Sequence, residues 1–178
     1  MKSGINPSIL IEEIQKYINA NLTADLHSLL LKKSPFPDVS INEIAQQIKG
    51  KKVAQKKFPF LLRDGIVFPP NLNLEQSSSE ATAKYKSQLL KGETFCDLTC
   101  GFGIDAYFIS QNFQQSVLVE KNEELLETAA HNWKILGKEA EFINADLYSF
   151  LKENQQKFDV VFLDPARRNE QKNKVFLL

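Results

Sequence analysis

Hydrophobic residues recur at helical spacing through the first 58 residues of the chain. The first set falls on one face of a helix that Asn6 or Ser8 could cap. A second set, at about Ala24–Lys33, stops before Pro35 and Pro37, which a helix interior does not accommodate. The pattern therefore predicts two helices near the start of the chain.

A third helix is predicted where Ser40 precedes Glu43 by three residues, which is the spacing of a capping box. Beyond it, Phe58–Pro70 carries Asp64-Gly65 between two apolar runs. This pattern is typical of a β-hairpin, although its prolines restrict it to an edge strand or a linker. We expect a helical domain with a short linker or hairpin at residues 1–70 and a second domain at residues 71–178.

The second domain begins with a helix expected over Ser77–Leu90, and from Thr94 the hydrophobic pattern alternates between strand and helix. Strands are predicted near residues 94–98, 116–120, 140–144 and 158–164, and helices near residues 103–112, 122–137 and 146–153. Such alternation is typical of a parallel sheet covered by helices. The predicted fold class is therefore α/β, a Rossmann-like core of four βα units preceded by a small helical domain.

Each predicted strand ends at, or is followed by, residues suited to binding a polar ligand. These residues are Asp97 with Gly101 and Gly103 in the turn that follows it, and Glu120, Asp146 and Asp164 after the other strands. In open parallel sheets the ligand crevice lies at the carboxyl ends of the strands. We therefore expect these residues to converge on one site.

The chemistry of these strand ends suggests a nucleoside ligand. Glycines after the first strand let the backbone approach a ligand closely. Glu120 could accept hydrogen bonds from both ribose hydroxyls, or could simply be solvated. Asp146 could accept from an adenine amino group, cap the following helix, or do both. A nicotinamide dinucleotide is disfavoured, because Asp105 would lie where its pyrophosphate brings negative charge.

The fourth strand ends in Asp164-Pro165, followed by Arg167 and Arg168. Because proline cannot continue a strand ladder, the chain should leave the sheet at the ligand end. The Asp164 carboxylate and the Pro165 carbonyl would then face the crevice as acceptors. The arginines could pair with phosphate or stack on a base, or they could form ordinary surface ion pairs.

Together, the segments DLTCGFG and DPARR and the acidic strand ends resemble the class I S-adenosylmethionine-dependent methyltransferases, over about Ser77–Arg168. The resemblance implies S-adenosyl-L-methionine as cofactor, with Thr99 in place of the first glycine of the general motif, as in several RNA methyltransferases. It implies that the cofactor-binding residues are Asp97, Thr99, Gly101, Gly103, Glu120, Lys121, Asp146 and Leu147. The residues beside the transferable methyl would be Asp164, Pro165 and Arg167.

The segment LEQSSSEATAKYKS, taken with LTCGFGID and DPARR, looks like a bacterial RNA-methyltransferase-like branch with a C-terminal ferredoxin-like or THUMP-like domain. That likeness implies an RNA substrate and places Gln76–Glu80 over the cofactor, although these residues could simply begin a helix. Because of the apolar run Val175–Leu178, we expect this chain to be the front part of a longer protein and to contain its cofactor-binding half. A non-catalytic adenosine- or RNA-binding module is the alternative. The modified atom is left open, because Ala166 and Arg167 replace the second proline and the aromatic residue of amino-methylating enzymes.

Charge adds a local feature only, since 22 basic and 22 acidic residues give a formal net charge of zero. Five lysines cluster near the end of the third predicted helix: Lys49, Lys51, Lys52, Lys56 and Lys57. They could track an RNA backbone together with the two arginines, or form a solvated helix face.

The remaining chemistry-bearing residues predict little. Cys96 and Cys100 are expected to be reduced thiols of a soluble cytoplasmic protein, poorly placed to act as a methylation nucleophile. His27 and His131 lack metal-ligand spacing, so no metal site is expected.

Overall fold

The structure, a computed structural model, describes residues 4–165. The arginines Arg167 and Arg168, the neighbouring Ala166 and the apolar run Val175–Leu178 lie outside the described residues. No helix in the described range is long and apolar enough to cross a membrane.

Five helices precede the sheet. They are α1 (Glu12–Ala20), α2 (Leu26–Leu30), α3 (Ile41–Lys57), α4 (Asn71–Gln76) and α5 (Glu80–Gln88), with 3-10 turns at Pro7–Leu10 and Pro59–Leu61. The capping box is confirmed: Ser40 Oγ accepts from the N–H of Glu43, whose carboxylate accepts from the N–H of Ser40. Asn6 caps the first 3-10 turn rather than α1, because Ile11 is extended and separates the two.

Of the linker and the hairpin that the sequence left open around Asp64-Gly65, the structure shows a linker. A turn forms there, with Gly65 at a φ of 82°, but no strand flanks it. Residues 66–70 form a strap without regular secondary structure, in which the backbone of Val67 and Phe68 bonds to side chains. The side chain of Asn132 accepts a hydrogen bond from the N–H of Val67 at 2.9 Å and donates one to the carbonyl of Val67 at 2.8 Å. Gln47 does the same for Phe68, at 2.8 and 3.0 Å. Side-chain amides thus replace the partner strand that a hairpin would supply.

The remaining elements form the predicted alternation. In chain order they are β1 (Thr94–Asp97), α6 (Ile104–Ile109), β2 (Gln115–Glu120), α7 (Glu123–Ile135), β3 (Glu141–Asn144), α8 (Leu147–Glu153) and β4 (Val160–Phe162). The four strands pair in the order β3-β2-β1-β4, and every pairing is parallel. The α/β, Rossmann-like fold predicted from the sequence is therefore confirmed. The observed strands are shorter than predicted at β4, which covers only the apolar centre of its segment.

The core joins the helical region to the sheet. The ring centroid of Phe102, in the loop after β1, lies 6.2 Å from that of Phe58 and 6.5 Å from that of Phe68. All three rings are buried. Gly50, within α3, lies so close to the strap that a Cβ there would fall 2.2 Å from Phe68 Cβ. The first 70 residues therefore pack directly on the loop that follows the first strand.

Candidate functional site

A cavity of about 780 Å³ lies at the carboxyl ends of the strands. Among the residues lining it are ten that the sequence predicted: Asp97, Thr99, Gly101, Gly103, Glu120, Lys121, Asp146, Leu147, Asp164 and Pro165. The parallel pairing explains this convergence, since it brings all four strand ends to one edge of the sheet. Residues from the 76–78 segment before α5 also line the cavity.

Asp97, the last residue of β1, is the buried acid of the site, only 2% exposed. One of its oxygens accepts from the N–H of Thr99 at 2.9 Å. Burial is the main reason that its pKa rises to about 7, and the carboxylates of Asp105, Asp164 and Glu120 raise it further. A cationic group beside Asp97 would therefore relieve an unfavourable charge.

The loop after β1 depends on two left-handed glycines. Gly101 has a φ of 56° and Gly103 a φ of 77°, values at which residues with a Cβ are strained. Gly103 also begins α6 and lies against α7, where a Cβ would fall 2.9 Å from Trp133 Nε1. The glycines thus let the chain turn sharply from the sheet into the helix while the loop lines the cavity.

Glu120, at the end of β2, holds this loop in place. Its two carboxylate oxygens accept from the N–H of Gly101 at 3.0 Å and the N–H of Asn122 at 2.9 Å. Each oxygen can accept a further hydrogen bond. The carboxylate therefore joins two loops of the cavity and keeps acceptor capacity for a ligand.

Asp146 adopts its capping role. Its Oδ1 accepts from the N–H groups of Tyr148 and Ser149 at the start of α8. Hydrogen bonds from Ser149 are the main reason that the pKa of this exposed carboxyl is lowered. An acceptor is thus held ionised at the rim of the cavity.

Asp164 is held at both its backbone and its side chain. Its N–H donates to Thr99 Oγ1 at 2.9 Å, which gives the residue in place of the first motif glycine a structural role. Its carboxylate accepts from Lys86 Nζ at 3.0 Å, and the same ammonium donates to Asp105 at 2.9 Å and to Ser78 at 3.0 Å. Sequence reasoning missed Lys86, because no local pattern pairs residues 78 positions apart.

The two cysteines are poorly suited to act as nucleophiles in this setting. Both are buried and neither is in a disulfide. Burial raises the pKa of Cys96 to about 12 and that of Cys100 well above its usual value, with Asp97 adding to both shifts. A thiolate nucleophile at either position is disfavoured.

The lysine cluster is largely engaged within the protein. Lys51 donates to Asn19, Lys52 to the carbonyl of Ala24, and Lys57 to the carbonyls of Leu74 and Glu75. Lys49 and Lys56 have exposed side chains. The cluster therefore contains two exposed lysines without a described internal hydrogen bond, rather than five.

Comparison of the sequence with known proteins also points to a methyltransferase-like family. The model of the family "Conserved hypothetical protein 95" matches residues 79–178, more than half of the chain. An uncharacterized RNA methyltransferase from Mycoplasma mobile is 28% identical over 169 residues, which cover 85% of this chain and 46% of that protein. The ribosomal RNA large subunit methyltransferase I of Aliivibrio fischeri is 33% identical over 202 residues, covering 95% of this chain and 50% of that protein.

A solved structure extends the likeness to the fold. A Porphyromonas gingivalis W83 protein assigned as a methyltransferase superimposes with a TM-score of 0.76 at 27% identity, over 93% of this chain and 42% of that one. The chain thus spans about half the length of the relatives it matches. From the parallel sheet, the glycine turn and the family match, we conclude that this chain belongs to the conserved hypothetical protein 95 family, of class I methyltransferase type.

Proposed function

We propose that this chain is the cofactor-binding part of an S-adenosylmethionine-dependent methyltransferase that acts on RNA. The observation that carries the proposal is the cavity at the carboxyl ends of the strands, walled by acidic residues and by a glycine turn. The likeness to the Porphyromonas gingivalis protein and the names of the sequence relatives support it.

The residues around the cavity fit this cofactor chemically. Asp97 is a buried carboxylate that a cationic ligand would stabilise, and Gly101 and Gly103 allow close approach of the amino-acid part. Glu120 retains acceptor capacity for ribose hydroxyls. The remaining proposed cofactor-binding residues are Thr99, Lys121, Asp146 and Leu147, with Asp146 facing adenine. When bound, the cofactor would supply an electrophilic methyl group on a sulfonium.

We assign the acceptor side of the site to the end of β4. The Asp164 carboxylate and the Pro165 carbonyl would accept hydrogen bonds from the nucleophile and hold it in line. Methyl transfer needs little acid–base chemistry, so orientation of this kind can supply several kcal/mol of the barrier. Arg167 would contact the RNA from the same segment.

RNA is the proposed substrate because the relatives that match most of this chain are named as RNA methyltransferases. That substrate implies a cytoplasmic protein. The exposed Lys49 and Lys56, with Arg167 and Arg168, are the basic groups proposed to contact phosphate, and Lys51, Lys52 and Lys57 would contribute once their internal bonds are exchanged.

Calorimetric titration of S-adenosylhomocysteine into the chain tests the cofactor site. We expect micromolar binding, at least about tenfold weaker in Asp97→Ala and in Glu120→Ala, because each removes a charged acceptor. Glu139→Ala is the matched control, since this exposed glutamate lies before β3, at the opposite end of the strand from the cavity.

Absence of binding by the folded chain, or equal binding of NAD, would contradict the proposal. Transfer itself is measured as incorporation of labelled methyl from S-adenosylmethionine into RNA. Cofactor binding without any incorporation, in a protein of the relatives' full length, would favour a non-catalytic adenosine-binding module instead.

A further inference from the structure

Lys86 lies between two acidic residues that line the cavity, Asp105 and Asp164. From the last turn of α5 its ammonium donates to Asp105, at the start of α6, and to Asp164, two residues after β4. The Lys86 side chain is only 24% exposed. It therefore joins two segments that both line the cavity, while no residue of its own helix is among the lining residues.

Further contacts keep this ammonium charged and fixed. Ser78 accepts its third hydrogen bond at 3.0 Å, and the ring of Phe162 lies 5.2 Å below it. Burial alone would lower the pKa of Lys86, but the hydrogen bonds that it donates to Asp105 and Asp164 raise it overall. Lys86 is thus a permanent positive charge at the site.

The charge that Lys86 offsets is large. Five acidic residues line the cavity: Asp97, Asp105, Glu120, Asp146 and Asp164. Lys121 is the one basic residue among the lining residues of the described chain. Asp105 Oδ1, moreover, is buried without a hydrogen-bond partner among the described residues. Without Lys86, Asp105 and Asp164 would lose the cation that pairs with both of them.

We propose that Lys86 is a positioning residue that sets the charge selectivity of the cavity, by offsetting Asp105 and Asp164 and so weakening the binding of a cationic ligand relative to a neutral one. The proposal rests on the S-adenosylmethionine site proposed above. There, Lys86 sets the balance between the sulfonium cofactor and its demethylated product, which lacks the sulfonium charge.

The two ligands S-adenosylmethionine and S-adenosylhomocysteine isolate this effect, because they differ by one methyl group and one positive charge. Replacing Lys86 by methionine removes one positive charge and keeps an unbranched apolar side chain. For two unit charges about 12 Å apart at an effective dielectric of about 20, removing one of them changes such a ratio by about tenfold. Because loss of Lys86 removes a positive charge, it should favour binding of the cationic S-adenosylmethionine.

The test measures the dissociation constants of both ligands at about pH 8.5, where Asp97 with its pKa of about 7 is ionised. In Lys86→Met we expect the ratio of the S-adenosylmethionine constant to the S-adenosylhomocysteine constant to fall by about fivefold or more. Lys86→Arg should restore the ratio. Lys84→Met is the matched control, since Lys84 lies on the same helix but pairs with Glu80, away from the cavity.

Asp105→Asn provides a second, independent variant. It removes a negative charge at the same place, so it should raise the ratio, even if Lys86→Met does not fold. An unchanged ratio in Lys86→Met or in Asp105→Asn, or an equal change in Lys84→Met, overturns the proposal. A purely structural role for Lys86 would weaken both ligands alike and leave the ratio constant. If the wild-type chain binds neither ligand, it is the proposed function that fails, and the role of Lys86 fails with it.

Discussion

At the scale of single residues, the cavity places a carboxylate where folding alone disfavours it. Asp97 is 2% exposed and lies near three other acidic residues, and the only hydrogen bond described for it comes from the N–H of Thr99. Burial raises its pKa from 3.8 to about 7, so the folded state holds a proton that the unfolded chain releases. The contribution of Asp97 to the free energy of unfolding is therefore most favourable in acid. It falls as the pH rises from about 4 to about 7 and stays low above that.

Asp97→Asn should consequently stabilise the protein above pH 7 while weakening cofactor binding. The amide keeps an acceptor for Thr99 N–H and removes the buried charge. We expect the free energy of unfolding to rise by about 2 to 4 kcal/mol at pH 8, and the gain to disappear at about pH 4. Urea denaturation at both pH values measures the difference.

Asp159→Asn is the control of opposite sign. The Asp159 carboxylate is exposed and accepts from the N–H groups of Glu93 and Thr94, which lower its pKa. Its contribution is present at neutral pH and is lost in acid, so this substitution should destabilise the chain at pH 8. A loss of stability in Asp97→Asn at pH 8 would show that the charged form is favourable there.

At the scale of elements, the strap at residues 66–70 is held by amide side chains rather than by a strand. Gln47 on α3 and Asn132 on α7 each bond to both the N–H and the carbonyl of one strap residue. His131 adds a bond of 2.8 Å to the carbonyl of Gly65. The strap thereby connects a helix of the first 70 residues to a helix that covers the sheet.

Asn132→Ala should be among the costly single substitutions. It leaves the N–H and the carbonyl of Val67 buried without their partner, which we expect to lower the free energy of unfolding by about 2 to 4 kcal/mol. Chemical denaturation measures the change, and the exposed Gln55→Ala on α3 should stay within about 0.5 kcal/mol of wild type. A change equal to that of Gln55→Ala would mean that water replaces the amide without cost.

The strap also marks where sequence reasoning reaches its limit. The capping box at Ser40 was predictable because its partners are three residues apart. The Asp64-Gly65 turn was predictable as a turn, but the partner of the following segment is Asn132, 65 residues further along. Nothing in the local pattern distinguishes a segment bonded by amide side chains from one bonded by a strand.

At the scale of the whole molecule, the acidic strand ends could be placed from the local sequence pattern, whereas Lys86 could not. A parallel sheet brings the carboxyl ends of its strands to one edge, so the positions of Asp97, Glu120 and Asp164 follow from the alternating pattern alone. Lys86 reaches the site because α5 packs on α6, and that packing depends on the whole core. The domain boundary expected near residue 70 raises a further question, which is whether the two predicted domains unfold independently of each other.

The shared aromatic core leads us to expect one cooperative unfolding transition for both parts. Phe68 lies in the strap and Phe102 in the loop that lines the cavity, and both belong to one buried cluster with Phe58. Phe68→Ala should therefore destabilise the helical region and the sheet together, by about 3 to 5 kcal/mol. The fluorescence of Trp133, buried on α7, reports on the sheet side, and far-UV circular dichroism reports on all helices.

In wild type and in Phe68→Ala we expect the two signals to change at the same denaturant concentration, with both midpoints moved equally by the substitution. Leu31→Ala, at a position 80% exposed, is the control and should leave both midpoints in place. If circular dichroism showed an early step that Trp133 does not report, and Phe68→Ala moved only that step, the first 70 residues would fold independently of the sheet. Coincident midpoints would instead mean that the helical region is part of the support for the cavity, because the Phe102 loop could not keep its place without Phe58 and Phe68 beneath it.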